Sequence, residues 1–328
     1  TKIYKSAPLP FQGQKRRYVG EFCRVLGQIR DARIFVDLFG GSGLLSHIAK
    51  RERPDAMVVY NDFDDYRTRL DNIPRTNALI SDLRSKGGGK SKSQRIASPQ
   101  REHILERIAA EDAAGYVDYI TLAANLCFPG KRATSYEELS KQTLYNNIVA
   151  SPYDAAGYLD GLTITSCDYR ELVARYRNRP DVVFLADPPY LSTDVSTYNM
   201  SWGLSDYLDV IASLAGQHYI YFTSSKSSIV ELCEWLGRNA GVGNIFAEAI
   251  RSDVAATVNY SARYSDIMLY MQCDVLRIYE DALTAKIFFK KNSIAAKDCE
   301  AIHPAIEYYR WMDYEDGRAE SDAKSRYS

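Results

Sequence analysis

Four consecutive residues, Asp187, Pro188, Pro189 and Tyr190, carry the strongest chemical signal in the chain. Two successive prolines fix φ, remove two backbone donors and hold the preceding residues extended, leaving a rigid turn whose carbonyls and carboxylate point outward. Such a turn suits a planar amine: Asp187 and the Pro188 carbonyl accept its two N–H bonds while Tyr190 stacks on the ring. Merely ending a strand is the plain alternative, and it leaves this combination of residue types unexplained. A second constellation, Asp37-Leu38-Phe39-Gly40-Gly41-Ser42-Gly43, follows an apolar run and puts glycines where the backbone turns tightly and a ligand must approach closely. Alone, it is equally an ordinary strand-to-helix turn. Asn61-Asp62 come about 20 positions later, where an acidic residue is placed to accept hydrogen bonds from ribose hydroxyls. There is no Walker lysine pattern and no GxGxxG spacing, so a phosphate-rich ligand is not expected.

These sets need elements that present them, and β-rich runs supply the ends. RIFVDLF (33–39), AMVVY (56–60), LTITS (162–166), DVVFLA (181–186), HYIYFTS (218–224), NIFAEAI (244–250) and YSDIMLYM (264–271) are seven candidate strands. Between them LLSHIAKRE, RELVARYRN, LSDYLDVIASLA and SSIVELCEWLGR repeat apolar residues at helical spacing. Alternation of this kind predicts an α/β fold with a mostly parallel sheet covered by helices on both faces, and the missing helix between the last two strands predicts an antiparallel finish. The alternation breaks between about residues 65 and 160, which read as an insertion. Within it SKGGGKSKSQR (85–95) is expected as a mobile loop, followed by a helical stretch over 101–126. From Arg84 to Arg107 there are seven basic and two acidic residues. Arg84, Lys86, Lys90, Lys92, Arg95 and Arg101 are therefore candidate phosphate contacts, with a solvated surface loop as the plain alternative. After Cys273, Tyr308, Tyr309, Trp311 and Tyr314 are expected to pack on the main domain.

Composition bounds the class. The 328 residues are 46% hydrophobic and 25% charged, which excludes disordered and fibrous chains. A net charge of -1 excludes a polyelectrolyte attraction for nucleic acid by the molecule as a whole, so any such binding needs a local patch. Six cysteines without a CxxC pair and four histidines make no zinc constellation. Reduced thiols and a cytoplasmic location are the expectation, with no membrane-spanning segment.

With DPPY, the glycine loop and the acid in this order, the chain resembles the Dam-like, alpha-type family of S-adenosylmethionine-dependent DNA adenine-N6 methyltransferases. Pro10-Phe11-Gln12-Gly13-Gln14-Lys15 resembles that family's leading element at the methionine end of the cofactor, and Asp168-Tyr169 its element beside the cofactor's adenine. The likeness covers about residues 8 to 64 and 160 to 273. Leu38 and Gln14 depart from it, standing where proline and a second glycine are usual. It implies a Rossmann-like class I methyltransferase fold, with residues 1–64 and 161–273 as the catalytic domain, 65–160 as the target-recognition domain and 274–328 as an extension. The implied cofactor site is Phe11, Gly13, Lys15, Asp37, Phe39, Gly40, Gly41, Ser42, Gly43, Asp62, Asp168, Tyr169 and Asp187, and the implied catalytic residues are Asp187, Pro188, Pro189 and Tyr190. S-adenosyl-L-methionine is the implied cofactor, S-adenosyl-L-homocysteine the product and double-stranded DNA the partner, with no metal needed. A cognate restriction endonuclease is a candidate partner.

The implied chemistry is direct in-line transfer to adenine N6, whose lone pair is delocalised into the ring. Accepting both of its N–H bonds favours charge development on nitrogen during attack, with Asp187 as acceptor rather than as a base that ionises the amine first. A paired N6 is blocked by stacking, so the base is expected to flip out. Three other readings stand beside this one. The same chemistry on RNA or a protein amide fits less well, because glutamine methylation more usually goes with NPPY. A cytosine-N4 enzyme would more usually carry serine at position 187. A non-catalytic DNA-binding relative would not need both the cofactor residues and an intact DPPY.

Overall fold

A computed structural model of the chain describes residues 3–86, 93–177, 179–189, 202–239, 243–259 and 262–271. Its strands are β1 (Ile34–Asp37), β2 (Met57–Asn61), β3 (Thr163–Thr165), β4 (Val182–Ala186), β5 (Tyr219–Ser224), β6 (Ile250–Asn259) and β7 (Ala262–Met271). They form one seven-stranded sheet in the order β3-β2-β1-β4-β5-β7-β6. β1 pairs parallel with β4 and β4 with β5, whereas β7 runs antiparallel to β5 and β6. The order reverses between β1 and β4, and open α/β sheets bind ligands outside the strand carboxyl ends at such a reversal. Both strands are buried along their whole length, the pattern of strands covered on two faces.

The described helices are α1 (Val19–Gln28), α2 (Leu44–Glu52), α3 (Tyr66–Asp71), α4 (Ile73–Lys86), α5 (Gln100–Ala113), α6 (Tyr119–Leu126), α7 (Tyr136–Ser140), α8 (Tyr169–Tyr176), α9 (Leu204–Leu214) and α10 (Ile229–Asn239). None is long and apolar enough to cross a membrane.

The mostly parallel sheet with an antiparallel finish matches the expectation, but one strand is displaced. Residues 245–248 make turns instead, with Asn244 Oδ1 accepting the Phe246 N–H at 3.0 Å and Asn244 O accepting that of Ala247. An asparagine bonded to the backbone two residues on competes with strand pairing. The apolar residues that suggested a strand still go inward, since Phe246 packs against Tyr219 and Tyr221. The sixth strand starts at Ile250, where polar residues interrupt the alternation and hide it. The helical stretch over 101–126 also divides. Gly115, at φ 121°, separates α5 from α6, and Asp118 restarts the helix by accepting the Thr121 N–H at 3.0 Å. At the expected loop 85–95, Ser85 and Lys86 finish α4 and Arg95 pairs with Tyr145 in an isolated antiparallel bridge. Lys90, Lys92, Tyr190 and everything after Met271, including the four aromatics of the tail, lie outside the described residues.

The chain folds into two compact units. One comprises residues 24–39, 55–59 and those from 167 onward. Its core joins Val36, Leu38, Phe184, Tyr221 and Leu269 of the sheet to Leu172, Val210, Leu214 and Cys233 of the helices. The other unit comprises residues 1–23, 40–54 and 60–166. There α4, α5 and α6 bury Leu79, Leu83, Ile104, Ile108, Leu122 and Leu126 together, so the inserted residues have a core of their own.

Two polar ties hold this second unit's irregular segments. Arg69 Nε lies 3.1 Å from Asp118 Oδ2, with the side chains 10% and 2% exposed, and its Nη2 donates to Pro10 O and Thr121 Oγ1. His47 on α2 is the other. Its Nδ1 lies 2.7 Å from Tyr158 O and its Nε2 3.0 Å from the Tyr4 amide. That amide can only donate, so Nε2 accepts, Nδ1 carries the proton and the ring is neutral. Burial, together with the Arg51 charge, lowers its pKa against the opposing bond to Tyr158. Because the folded value lies below the unfolded one, the tie is fully stabilising above about pH 6.5 and is lost as pH falls through the folded value. Hydrogen exchange should therefore show the Tyr4 amide losing protection as pH falls below about 6.5, with no such pH dependence in His47→Ala. The same pH dependence in His47→Ala as in the parent would contradict the assignment.

Candidate active site

The carboxyl ends of β1 and β4 lie side by side. Asp37 and Leu185 are partners in register, and the Leu38 N–H donates to Leu185 O at 3.0 Å. Asp37 is fully buried at the end of β1. Asp187, which follows β4 directly, is half-buried, and Pro188 and Pro189 are buried. In the same unit Phe39 packs on Tyr169 at 5.1 Å and on Trp202 at 5.7 Å between ring centroids, and Tyr169 stacks on Trp202 at 25°. The Tyr169 hydroxyl is buried with no hydrogen-bond partner among the described residues. Burial pushes its pKa up to about 12, so it stays protonated. An unpaired buried hydroxyl costs about 1–3 kcal/mol, which marks this aromatic nest as unfinished by the chain's described residues. Asp168 is engaged: Oδ1 caps α8 by accepting the Arg170 N–H at 2.8 Å, and Oδ2 lies 3.3 Å from the Arg170 guanidinium.

The second unit holds the glycine loop, and its geometry explains the glycines. A Cβ on Gly40 would lie 2.3 Å from Tyr60 Cε2 and 2.7 Å from Asn61 O. Gly41 and Gly43 take φ of 49° and 71°, which side chains resist. The Tyr60 hydroxyl lies 2.9 Å from both Gly41 O and Asp62 Oδ1, so its single proton serves one at a time. Asp62 Oδ1 also accepts the Tyr66 N–H at 2.7 Å, and Oδ2 accepts that of Arg67 at 3.0 Å. The acid after β2 thus anchors the first turn of α3, and Oδ2 retains capacity for a further donor. Ser42, also buried, offers its carbonyl to the Tyr158 hydroxyl at 2.9 Å.

The leading element is held from the same unit. Phe11 meets Tyr66 edge-on at 5.6 Å, Gly13 takes φ 82°, and buried Lys15 donates to Gly13 O at 2.8 Å. Gln14 accepts the Ala7 N–H at 3.0 Å and reaches Phe11 O, so the residue that departs from the family pattern clamps the loop. From the insertion, Arg69 holds Pro10 O and Arg132 donates to Gln12 Oε1 at 2.7 Å. Among the basic candidates Arg84 and Arg95 are exposed, while the Arg101 guanidinium bonds Ser140 O.

Tyr60, Arg69, Arg132 and Trp202 were not among the sequence-derived candidates. Tyr60 was within reach: strand alternation puts it on the same face as Asp62, directly against the glycine loop. The other three act through long-range contacts that no local pattern announces.

The sequence pattern of the D12 class N6 adenine-specific DNA methyltransferase family matches residues 11–216. A Haemophilus influenzae (strain Rd) protein, provisionally named a methyltransferase, is 36% identical over 278 residues, covering 82% of this chain and 93% of the relative. The chain belongs to the D12 class of N6 adenine-specific DNA methyltransferases. The matched span of this methyltransferase contains every cofactor and catalytic candidate from Phe11 to Tyr190 and the whole insertion. Among its described residues no cluster of three or more His, Cys, Asp or Glu is arranged to hold a metal ion.

Gly40 gives the sharpest local test. In Gly40→Ala the Tyr60 ring cannot retreat without leaving Gly41 and Asp62, and the Asn61 carbonyl is backbone. Urea unfolding should show a loss of about 1–3 kcal/mol, the usual cost of overpacking, together with loss of methyl transfer. Parental stability and activity in this variant would remove the steric account of the loop.

Proposed function

We propose that this enzyme transfers the methyl group of S-adenosyl-L-methionine to the exocyclic N6 of an adenine flipped out of double-stranded DNA, releasing S-adenosyl-L-homocysteine. The observation that carries this reading is the adjacency of the β1 and β4 carboxyl ends at the reversal of strand order, one followed by Phe39 and the other by Asp187-Pro188-Pro189. When bound, the cofactor supplies an electrophilic methyl carbon on a sulfonium that leaves readily.

Each unit, taken by itself, offers groups that suit an adenosine. In one, Phe39 and Tyr169 offer aromatic faces and the Tyr169 hydroxyl, which has no partner among the described residues, offers a hydrogen bond; in the other, Asp62 Oδ2 retains capacity for a ribose hydroxyl. Phe11, Gly13 and Lys15 take the methionine end in this reading. Asp37 fixes the start of the loop, and Asp168 places Tyr169 by capping α8. At the target, Asp187 and the Pro188 carbonyl accept the two N6 N–H bonds, drawing charge onto nitrogen as it attacks. Asp187 then takes the proton released from the amine. Pro189 keeps the turn rigid, and Tyr190 is assigned the stacking face. Residues 65–160 are assigned to target recognition, with the basic run from Arg84 to Arg101 facing phosphates. We read the enzyme as cytoplasmic, and DNA as substrate and reduced thiols are what support that reading. Cys127 and Cys233 support the latter, since burial pushes both thiols up to about 11 and makes them unreactive.

Methylation-free duplex DNA incubated with the enzyme and S-adenosyl-L-methionine should yield N6-methyladenine by nucleoside mass spectrometry. In Asp187→Ala the rate should fall by roughly 100-fold or more, with calorimetric affinity for S-adenosyl-L-methionine falling far less, because the other cofactor candidates remain. N4-methylcytosine as product, or a parental rate in the variant, would overturn the assignment.

A further inference from the structure

Tyr60 stands next to last in β2 and is fully buried. Its ring packs against the glycine loop at two places, since a Cβ on Gly40 would lie 2.3 Å from Cε2 and one on Gly43 3.4 Å from Cζ. A phenylalanine would pack in the same way. The hydroxyl is what distinguishes the residue, and it lies between two acceptors of unlike kind. Gly41 O belongs to the loop and Asp62 Oδ1 to the acid that follows β2, each at 2.9 Å. A phenol has one proton, so a bond to one acceptor leaves the other without it.

The acceptor sites of Asp62 decide between them. An ionised carboxylate has about four such sites. Oδ1 takes the Tyr66 N–H at 2.7 Å as well as the Tyr60 hydroxyl, and Oδ2 takes the Arg67 N–H at 3.0 Å. Among the described residues this leaves one site, on Oδ2. A ribose carries two adjacent hydroxyls, so the second has to be accepted on Oδ1. There the Tyr66 amide is fixed at the start of α3, whereas the Tyr60 proton turns away by rotation about the phenolic C–O bond. That rotation delivers it to Gly41 O without moving the ring.

We propose that Tyr60 is a positioning residue whose proton passes from Asp62 to the Gly41 carbonyl when Asp62 accepts both ribose hydroxyls of the cofactor, so that the glycine loop is held most firmly around a complete ribose. The inference rests on the cofactor reading given above. With Asp62 unoccupied, the charge-assisted bond to the carboxylate is the stronger of the two, and the Gly41 carbonyl is the less firmly held. The two positions of the hydroxyl form a two-state element, and a ligand that needs Oδ1 binds only one of them. Two bonds beside Gly41 report its state: the Gly43 N–H donates to Gly40 O at 2.7 Å and the His47 N–H to Gly43 O at 2.8 Å.

The test uses the full chain, Tyr60→Phe, and three probes, S-adenosyl-L-homocysteine and its 2′-deoxy and 3′-deoxy analogues. In the parent, hydrogen exchange at the Gly43 and His47 amides should slow several-fold more with the complete ribose than with either analogue, and in Tyr60→Phe all three probes should slow it alike. By calorimetry, loss of one ribose hydroxyl should weaken binding about twofold in the parent and about tenfold in Tyr60→Phe, where the second hydroxyl meets no competitor on Oδ1. A purely structural Tyr60 would instead shift the affinity of all three probes by one common factor, and that result overturns the proposal. Equal protection by the three probes in the parent overturns it without recourse to the variant. Failure of the parent to bind any of them would sink the cofactor reading beneath it.

Discussion

A single guanidinium ties together the segments on which the leading element and the insertion both depend. Arg69 leaves α3 and meets the Asp118 carboxylate, Thr121 Oγ1 and Pro10 O, while lying over the Tyr66 ring at 5.1 Å. Asp118 spends its remaining capacity on the first turn of α6. Desolvating two charges is costly, and such a pair is retained only when other bonds satisfy it. Here the planar fork has three acceptors in two segments far apart in sequence, which lysine could not reproduce. Removing one partner of such a pair strands a buried charge at about 3–5 kcal/mol, and here it would also free the Pro10 carbonyl and with it the approach to Phe11 and Gly13. The inserted residues are therefore part of what shapes the candidate cofactor loop, not an appendage to it.

Asp62 shows the same economy on a smaller scale. The sequence reading gives it one role, accepting from a ribose. Three donors from Tyr60, Tyr66 and Arg67 already meet it, so it also fixes how the chain leaves β2 and enters α3. Through Tyr60 the same carboxylate reaches the Gly41 carbonyl. A substitution at Asp62 would consequently alter the glycine loop as well as any ligand contact, and a fall in cofactor affinity alone would not separate the two effects. Gly40 is cleaner, because its constraint is steric and local.

Strand ends and turn residues were legible in the sequence because their signals are local. The runs over 33–39 and 181–186 are short, apolar and followed by glycines or by Asp-Pro-Pro, and β1 and β4 form within them. The strand over 244–250 failed because an asparagine turn buries Phe246 without pairing it, a tertiary outcome that apolar content does not distinguish from a strand. Arg69, Arg132 and His47 were illegible for the converse reason. Their partners lie far away in sequence, and a lone arginine or histidine on a helix looks like any solvated side chain until the fold brings Asp118, Gln12 or Tyr158 to it.

The buried tyrosines give the candidate site a further physical argument. Tyr4, Tyr66, Tyr158 and Tyr219 each direct the hydroxyl at a backbone carbonyl, of Ala156, Leu9, Ser42 and Ile245 respectively. In each case an aromatic ring fills space while its polar end satisfies an irregular segment that has no ladder of its own. Tyr169 departs from that habit. Its ring is packed by Phe39 and Trp202 and covered by the Arg170 guanidinium at 4.8 Å, yet its buried hydroxyl finds no acceptor among the described residues. A phenylalanine would pack as well without the cost of a stranded polar group. In the reading proposed above that hydroxyl is offered to the cofactor, because Tyr169 follows Asp168 at the start of α8, the element that the family resemblance sets beside the cofactor's adenine.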